Sequence, residues 1–162
     1  VVVGGSALAV PFPTYQGHFQ FPIERDKDKW KEPQIWSMLA LKEFIRAIEG
    51  MIDEGKLSLD IDLERFKEDA KKYIYFDSNI PKGYGLGSSG AVVAGVVSRY
   101  GKESAEKIKL DSLEVLQQQF AVLESHFHGH SSGFDPLVCY LNHSIIKINK
   151  RNHFYQMKDG SV

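Results

Sequence analysis

Two segments of the chain have apolar residues at three- and four-residue steps, the spacing of an amphipathic helix. The first is Ile35–Ile48, and Gly50 behind it predicts the end of that helix. The second has its apolar residues at Leu113, Leu116, Phe120, Leu123 and Phe127. Shorter helices are predicted at Leu63–Lys72 and Ala91–Tyr100.

Extended segments are predicted on both sides of these helices. Val1–Val10 is apolar and broken by a glycine pair, which predicts a strand, a tight turn and then a second strand or a short helix. Tyr15–Ile23 alternates aromatic and polar residues, and Tyr73–Phe76 is rich in β-forming residues. Two further strands are predicted at Leu137–Leu141 and Ser144–Ile148.

The length and net charge of the chain indicate a single domain with no preference for polyanionic partners. A chain of 162 residues is expected to form one domain, 1–162, and the net charge of -1 gives no reason to expect nucleic acid or an anionic membrane as partner. No apolar stretch reaches the roughly 20 residues that span a bilayer. The single cysteine, Cys139, indicates a reducing compartment, so we expect a cytoplasmic protein, and its apolar surroundings predict a buried thiol.

The hexapeptide Gly85–Gly90 is the strongest candidate for a ligand-binding loop. Its three glycines let the backbone approach a ligand, and its two serines stand where a helix would begin, as in phosphate-binding loops. A dinucleotide fold is disfavoured because Pro81 and Lys82 precede the loop and no strand follows its helix. The protein-kinase pattern is also disfavoured, because no V-A-I-K follows, and a Walker loop would need a lysine that the loop lacks. A plain glycine-rich turn stays as the alternative.

Two carboxylates downstream could complete a phosphoryl-transfer site. Glu124 lies on the predicted amphipathic helix, and Asp135 follows eleven residues later on the next loop. One carboxylate could bind a metal and the other could accept a proton from a hydroxyl. The alternating His126, His128 and His130 offer zinc as an alternative, but they lack a convincing fourth ligand.

At this point two motifs resemble those of a known superfamily. Pro81–Ser89 is similar to the P-x-x-x-G-L-G-S-S motif of the GHMP kinases, which include galactokinase, homoserine kinase and mevalonate kinase. The segment from Glu124 to Asp135 resembles the E-x-x-x-H-G-x-x-S-G-x-D segment of mevalonate kinases, although Ser131 stands where family members often carry proline. The resemblance implies an α+β fold, an N-terminal domain like domain 2 of ribosomal protein S5, in which helices cover a mixed sheet.

The resemblance also implies a function and a cofactor pair, ATP and Mg²⁺. The enzyme would transfer the γ-phosphoryl group of ATP to a small-molecule hydroxyl, with mevalonate the expected acceptor. The alternatives are another GHMP kinase acting on phosphomevalonate, homoserine or a sugar, the decarboxylase of mevalonate diphosphate, and a non-catalytic anion-binding module. The sequence does not fix the oligomeric state, and a homodimer is compatible with it.

Site roles follow from the same resemblance. Asp135 would be the catalytic base. Mg²⁺ would be bound by Glu124 and Ser88, with Ser89 as the second choice for the serine. The substrate pocket would be shaped by His128, Gly129, Ser132 and Gly133. The ATP phosphates would be held by a loop made of Pro81, Gly85, Leu86, Gly87, Ser88, Ser89 and Gly90. The family's first-motif lysine and C-terminal domain are expected to lie outside these residues, so the 162 residues alone are expected to be inactive.

Overall fold

A computed structural model describes residues 2–3, 6–9, 14–24, 26–80, 88–102, 113–142, 144–148 and 153–156. Its side chains are described for those residues between 14 and 145. The strands are β1 Val2–Val3, β2 Ser6–Ala9, β3 Gly17–Gln20, β4 Tyr75–Ser78, β5 Ile145–Ile148 and β6 His153–Gln156. The α-helices are α1 Glu32–Asp53, α2 Leu63–Lys71, α3 Ser88–Tyr100, α4 Leu113–His128 and α5 Phe134–Leu141, with a short 3-10 helix at Lys27–Lys29 before α1.

The strands form two sheets. The larger has the order β1-β2-β5-β6, and the smaller pairs β3 with β4 so that Phe19 lies opposite Phe76. Every pairing among the described strands is antiparallel, so the mixed sheet expected from the resemblance is not seen in this part of the chain. Helices together with antiparallel sheets are consistent with the predicted α+β class.

The helices share one hydrophobic core. In α1 the side chains of Phe44 and Ile48 are fully buried, and in α4 those of Phe120 and Leu123 are. This confirms the apolar face predicted for α4 and the C-terminal part of the one predicted for α1. Helix α3 packs against α5, α4 and β3, and α5 also contacts α4 and β2. None of the described helices combines the length and the apolar character needed to cross a membrane.

Helix α1 is longer than its pattern predicted. It continues through Gly50 to Asp53, and the left-handed backbone that follows is at Gly55, with φ 68°. The predicted stop at Gly50 was therefore wrong, because packing outweighs the roughly 1 kcal/mol that an internal glycine costs a helix. Two residues of the predicted apolar face, Ile35 and Leu39, are exposed.

The predicted strand Leu137–Leu141 was wrong, because these residues belong to α5. A short apolar run has no periodicity that separates a strand from a buried helix. The helix is bounded by left-handed residues, Gly133 with φ 72° and Asn142 with φ 52°, and Pro136 lies in its first turn, where proline is tolerated. The helical turn buries Leu137 and leaves Cys139 exposed, so the expected buried thiol was also wrong.

A polar cluster in the core connects α2 to α3. The Asp69 carboxylate, 7% exposed, accepts hydrogen bonds at Oδ2 from Arg99 Nη2 at 2.9 Å and from Tyr100 Oη at 3.1 Å. Burial raises the pKa of Tyr100 to about 12, so its hydroxyl keeps its hydrogen at neutral pH. The cluster satisfies the buried polar groups where the two helices meet.

Removing the Asp69 carboxylate should destabilise the fold. We expect Asp69→Ala to lower the free energy of unfolding by about 2 kcal/mol, because the buried Tyr100 hydroxyl and the Arg99 guanidinium lose their acceptor. Urea unfolding of the chain measures this. The matched control is Asp60→Ala, which breaks an exposed ion pair with Lys102 and should cost less than about 1 kcal/mol. Equal losses for the two variants would contradict the role given to Asp69.

Candidate active site

The glycine loop leads into the N-terminus of α3, as its two serines predicted. Ser88, Ser89 and Gly90 form the first turn of this helix. The first-turn N–H groups of a helix have no intrahelical partner, and the helix dipole adds a partial positive charge there. Four proposed phosphate-loop residues, Pro81, Gly85, Leu86 and Gly87, lie outside the described residues.

Glu124 is a buried carboxylate beside this helix start. It lies on α4 and is 5% exposed. Its Oε1 accepts a hydrogen bond from Ser89 Oγ at 2.9 Å, and its Oε2 accepts a short one from Ser131 Oγ. Both oxygens of the carboxylate are therefore oriented, one by α3 and the other by the loop after α4.

The serine that meets Glu124 is Ser89, whereas the sequence ranked Ser88 first as the partner of Glu124 in metal binding. Consecutive helical residues point about 100° apart, so only one of two adjacent serines can face α4. The described contacts of Glu124 include the hydroxyl of Ser89 and none from Ser88. Sequence spacing alone could not choose between them.

His128 lies one turn beyond Glu124 and reaches the same hydroxyl. Its Nε2 is 2.9 Å from Ser89 Oγ. A serine hydroxyl has one hydrogen, and Ser89 donates it to the carboxylate, so we assign the ring hydrogen of His128 to Nε2, which donates to Ser89. His126 points elsewhere and stacks on Phe44. In the part of the chain that the structure describes, no group of three or more His, Cys, Asp and Glu side chains could hold a metal, which leaves the zinc alternative without support.

The loop between α4 and α5 is held closely against α4. Gly129 and Gly133 both have positive φ, 73° and 72°. A Cβ on Gly133 would lie 2.7 Å from the backbone nitrogen of Ala121, so both space and conformation require glycine there. The Gln117 side chain donates to the Ser132 carbonyl at 2.6 Å. Of the proposed pocket residues, Gly133 thus has a clear structural role.

Asp135 lies at the same end of the molecule as Ser89. It occupies the first turn of α5, and not a loop as the sequence predicted, and its side chain is exposed. A Cβ added to Gly90 would lie 2.9 Å from the carbonyl carbon of Asp135 and 2.9 Å from the backbone nitrogen of Pro136. The first turns of α3 and α5 are therefore in direct contact, and this contact brings Asp135 next to the helix start that carries Ser89.

Sequence reasoning missed two residues of this region, Gln117 and Ser131. Gln117 had a signal, because it follows Leu116 directly and falls on the buried face of α4, where it is 9% exposed. The sequence signal at Ser131 was weaker: a serine stands where mevalonate kinases often carry proline. Their role depends on loop contacts that no spacing encodes.

The family model of the GHMP kinases N terminal domain matches residues 44–143, which is more than half of the chain. No curated protein and no solved structure matches the chain. The matched range contains α3, α4 and α5, and with them Ser89, Glu124 and Asp135. The chain therefore belongs to the GHMP kinases and contains their N-terminal domain.

Proposed function

We propose that this chain is the ATP-binding part of a small-molecule kinase that transfers the γ-phosphoryl group of ATP to the hydroxyl of mevalonate. One observation carries the proposal. The first turn of α3 contacts Glu124 through Ser89 and contacts the backbone of Asp135 through Gly90. An anion-binding helix start, a buried carboxylate and an exposed carboxylate are thereby brought to one place, and these are the parts that phosphoryl transfer requires.

The first turn of α3 would bind the phosphates of ATP. Its N–H groups and the positive end of its dipole favour a bound anion. The backbone amides of Gly85–Gly90, a range that ends in this first turn, would hold the phosphates. Helix α3 has 13 residues, so its dipole is well developed. Small residues suit this position because the phosphates must approach the backbone closely.

Ser89 and Glu124 fit Mg²⁺ as a donor set. Both supply oxygen, the ligand type that Mg²⁺ prefers, and Mg²⁺ is commonly held by one or two carboxylates together with waters and substrate phosphates. Their contact at 2.9 Å is the reason to prefer Ser89 to Ser88. When bound, Mg²⁺ would neutralise charge on the phosphates.

Asp135 would accept the proton of the acceptor hydroxyl. The hydroxyl oxygen forms a bond to the γ-phosphorus, the bond from that phosphorus to the β–γ bridging oxygen breaks, and ADP leaves with the electron pair. The proton passes to the Asp135 carboxylate, which is exposed at the start of α5 and free to meet a substrate. His128, Gly129, Ser132 and Gly133 would line the acceptor side of the pocket.

An acceptor screen tests the proposal. ADP release by the protein that contains this chain should show its highest kcat/KM with mevalonate, compared with phosphomevalonate, homoserine and galactose. The support for mevalonate is the segment from Glu124 to Asp135. Preference for another acceptor would keep the kinase and overturn the substrate. ATP-dependent release of carbon dioxide from mevalonate diphosphate would indicate the decarboxylase, and a failure to bind Mg·ATP in calorimetry would indicate a non-catalytic module.

A further inference from the structure

We propose that Ser131 is a positioning residue that ties the metal-binding carboxylate, Glu124, to the loop that leads into α5, where Asp135 lies. The effect on turnover rests on the function proposed above, whereas the link itself is a property of this fold. Ser131 touches neither ATP nor the acceptor in this proposal. It would act by fixing where two other side chains stand relative to each other.

The hydroxyl of Ser131 is used twice. Its hydrogen is donated to Glu124 Oε2, and its oxygen accepts a hydrogen bond from the backbone N–H of Gly133 at 3.0 Å. The other carboxylate oxygen, Oε1, is taken by Ser89. A single hydroxyl therefore connects the side chain on α4 to the backbone at the beginning of α5.

The Ser131 hydroxyl holds the backbone two residues before Asp135. Gly133 is the residue that precedes α5, it adopts a left-handed conformation, and it has no side chain with which to cap the helix. The Ser132 hydroxyl accepts a hydrogen bond from the first helical N–H, that of Phe134, at 3.4 Å. The hydrogen bond from the Gln117 side chain to the Ser132 carbonyl also anchors this loop to α4, but this bond does not involve Glu124. Ser131 is thus the member of this loop whose side chain reaches Glu124 directly.

Loss of this hydroxyl should loosen both carboxylates together. In Ser131→Ala, Glu124 keeps one of its two hydrogen bonds and the Gly133 N–H loses its acceptor. We expect the Mg²⁺ concentration for half-maximal ATP binding to rise roughly 10-fold and kcat to fall by a similar factor, since hydrogen bonds to charged groups are among the stronger ones. Ser131→Thr keeps the hydroxyl and should restore most of both.

The experiment has two readouts in the protein that contains this chain. Calorimetry of ATP binding at a series of Mg²⁺ concentrations measures the metal dependence, and amide hydrogen exchange measures the Gly133 N–H without any ligand. Exchange at Gly133 should become faster in Ser131→Ala and not in Ser131→Thr. The matched control is Ser125→Ala on α4, whose hydroxyl donates to the Val122 carbonyl of its own helix.

The outcomes separate this proposal from the function. If Ser131→Ala behaves like Ser125→Ala in both readouts, Ser131 is not a positioning residue. If the unaltered protein fails to bind Mg·ATP, the proposed function is wrong, and faster exchange at Gly133 would still support the link. If exchange changes while the Mg²⁺ dependence does not, the hydroxyl holds the loop alone, and the proposed coupling to Glu124 is overturned.

Discussion

Replacing Asp135 with asparagine is expected to lower kcat by about 10²- to 10⁴-fold, the usual contribution of a positioned proton acceptor. The amide has nearly the shape of the carboxylate but accepts a proton poorly. Because Asp135 is exposed in the first turn of α5, the change should leave the fold and Mg·ATP binding intact. Steady-state kinetics of ADP release measure kcat, and calorimetry measures nucleotide binding.

The matched control for Asp135→Asn is Asp53→Asn, the same change at an exposed aspartate at the C-terminal end of α1. Its kcat should equal that of the unaltered protein. Normal turnover in Asp135→Asn would show that Asp135 is not the base. A loss of nucleotide binding together with kcat would show instead that the carboxylate acts on ATP and not on the acceptor.

Replacing Glu124 with glutamine should separate function from stability. We expect Mg²⁺-dependent ATP binding to weaken by roughly 100-fold or more, since changes to groups that merely support a metal ligand already cost 10- to 100-fold. The glutamine amide can accept a hydrogen bond from one of the two serines, Ser89 and Ser131, through its oxygen and donate to the other through its nitrogen. It lacks the negative charge that attracts the cation. ATP binding by calorimetry at several Mg²⁺ concentrations is the direct measurement.

The melting temperature of Glu124→Gln should stay equal or rise. Glu124 is 5% exposed, and within the described part of the chain its carboxylate accepts hydrogen bonds from two hydroxyl groups, which do not neutralise its charge. Burying a charge costs free energy, so a neutral amide of the same shape relieves that cost. The control is Glu43→Gln at an exposed position of α1, which should change neither quantity. A marked drop in melting temperature would mean that Glu124 serves the fold and not the metal.

Secondary structure was predicted correctly from the sequence where the periodic segment was long. The long helices were predicted because Phe44, Ile48, Phe120 and Leu123 repeat their spacing over several turns, and each proved to be buried. The eight residues of α5 are too few for such a signal, and their apolar run was read as a strand. What made them helical is the packing of α3 and α4 against them, which a local pattern does not contain.

The sequence by itself determined the superfamily and placed the glycine loop at a helix start, since motif spacing and the first serines are local features. Only the tertiary structure decided that Ser89 and not Ser88 meets Glu124, that Gly90 abuts Asp135, and that Ser131 bridges the loop to α4. The reason is geometric. Spacing along a helix fixes which residues share a face. Which other helix that face contacts depends on how the elements pack. Here the packing brings residues from three separate helices to one site.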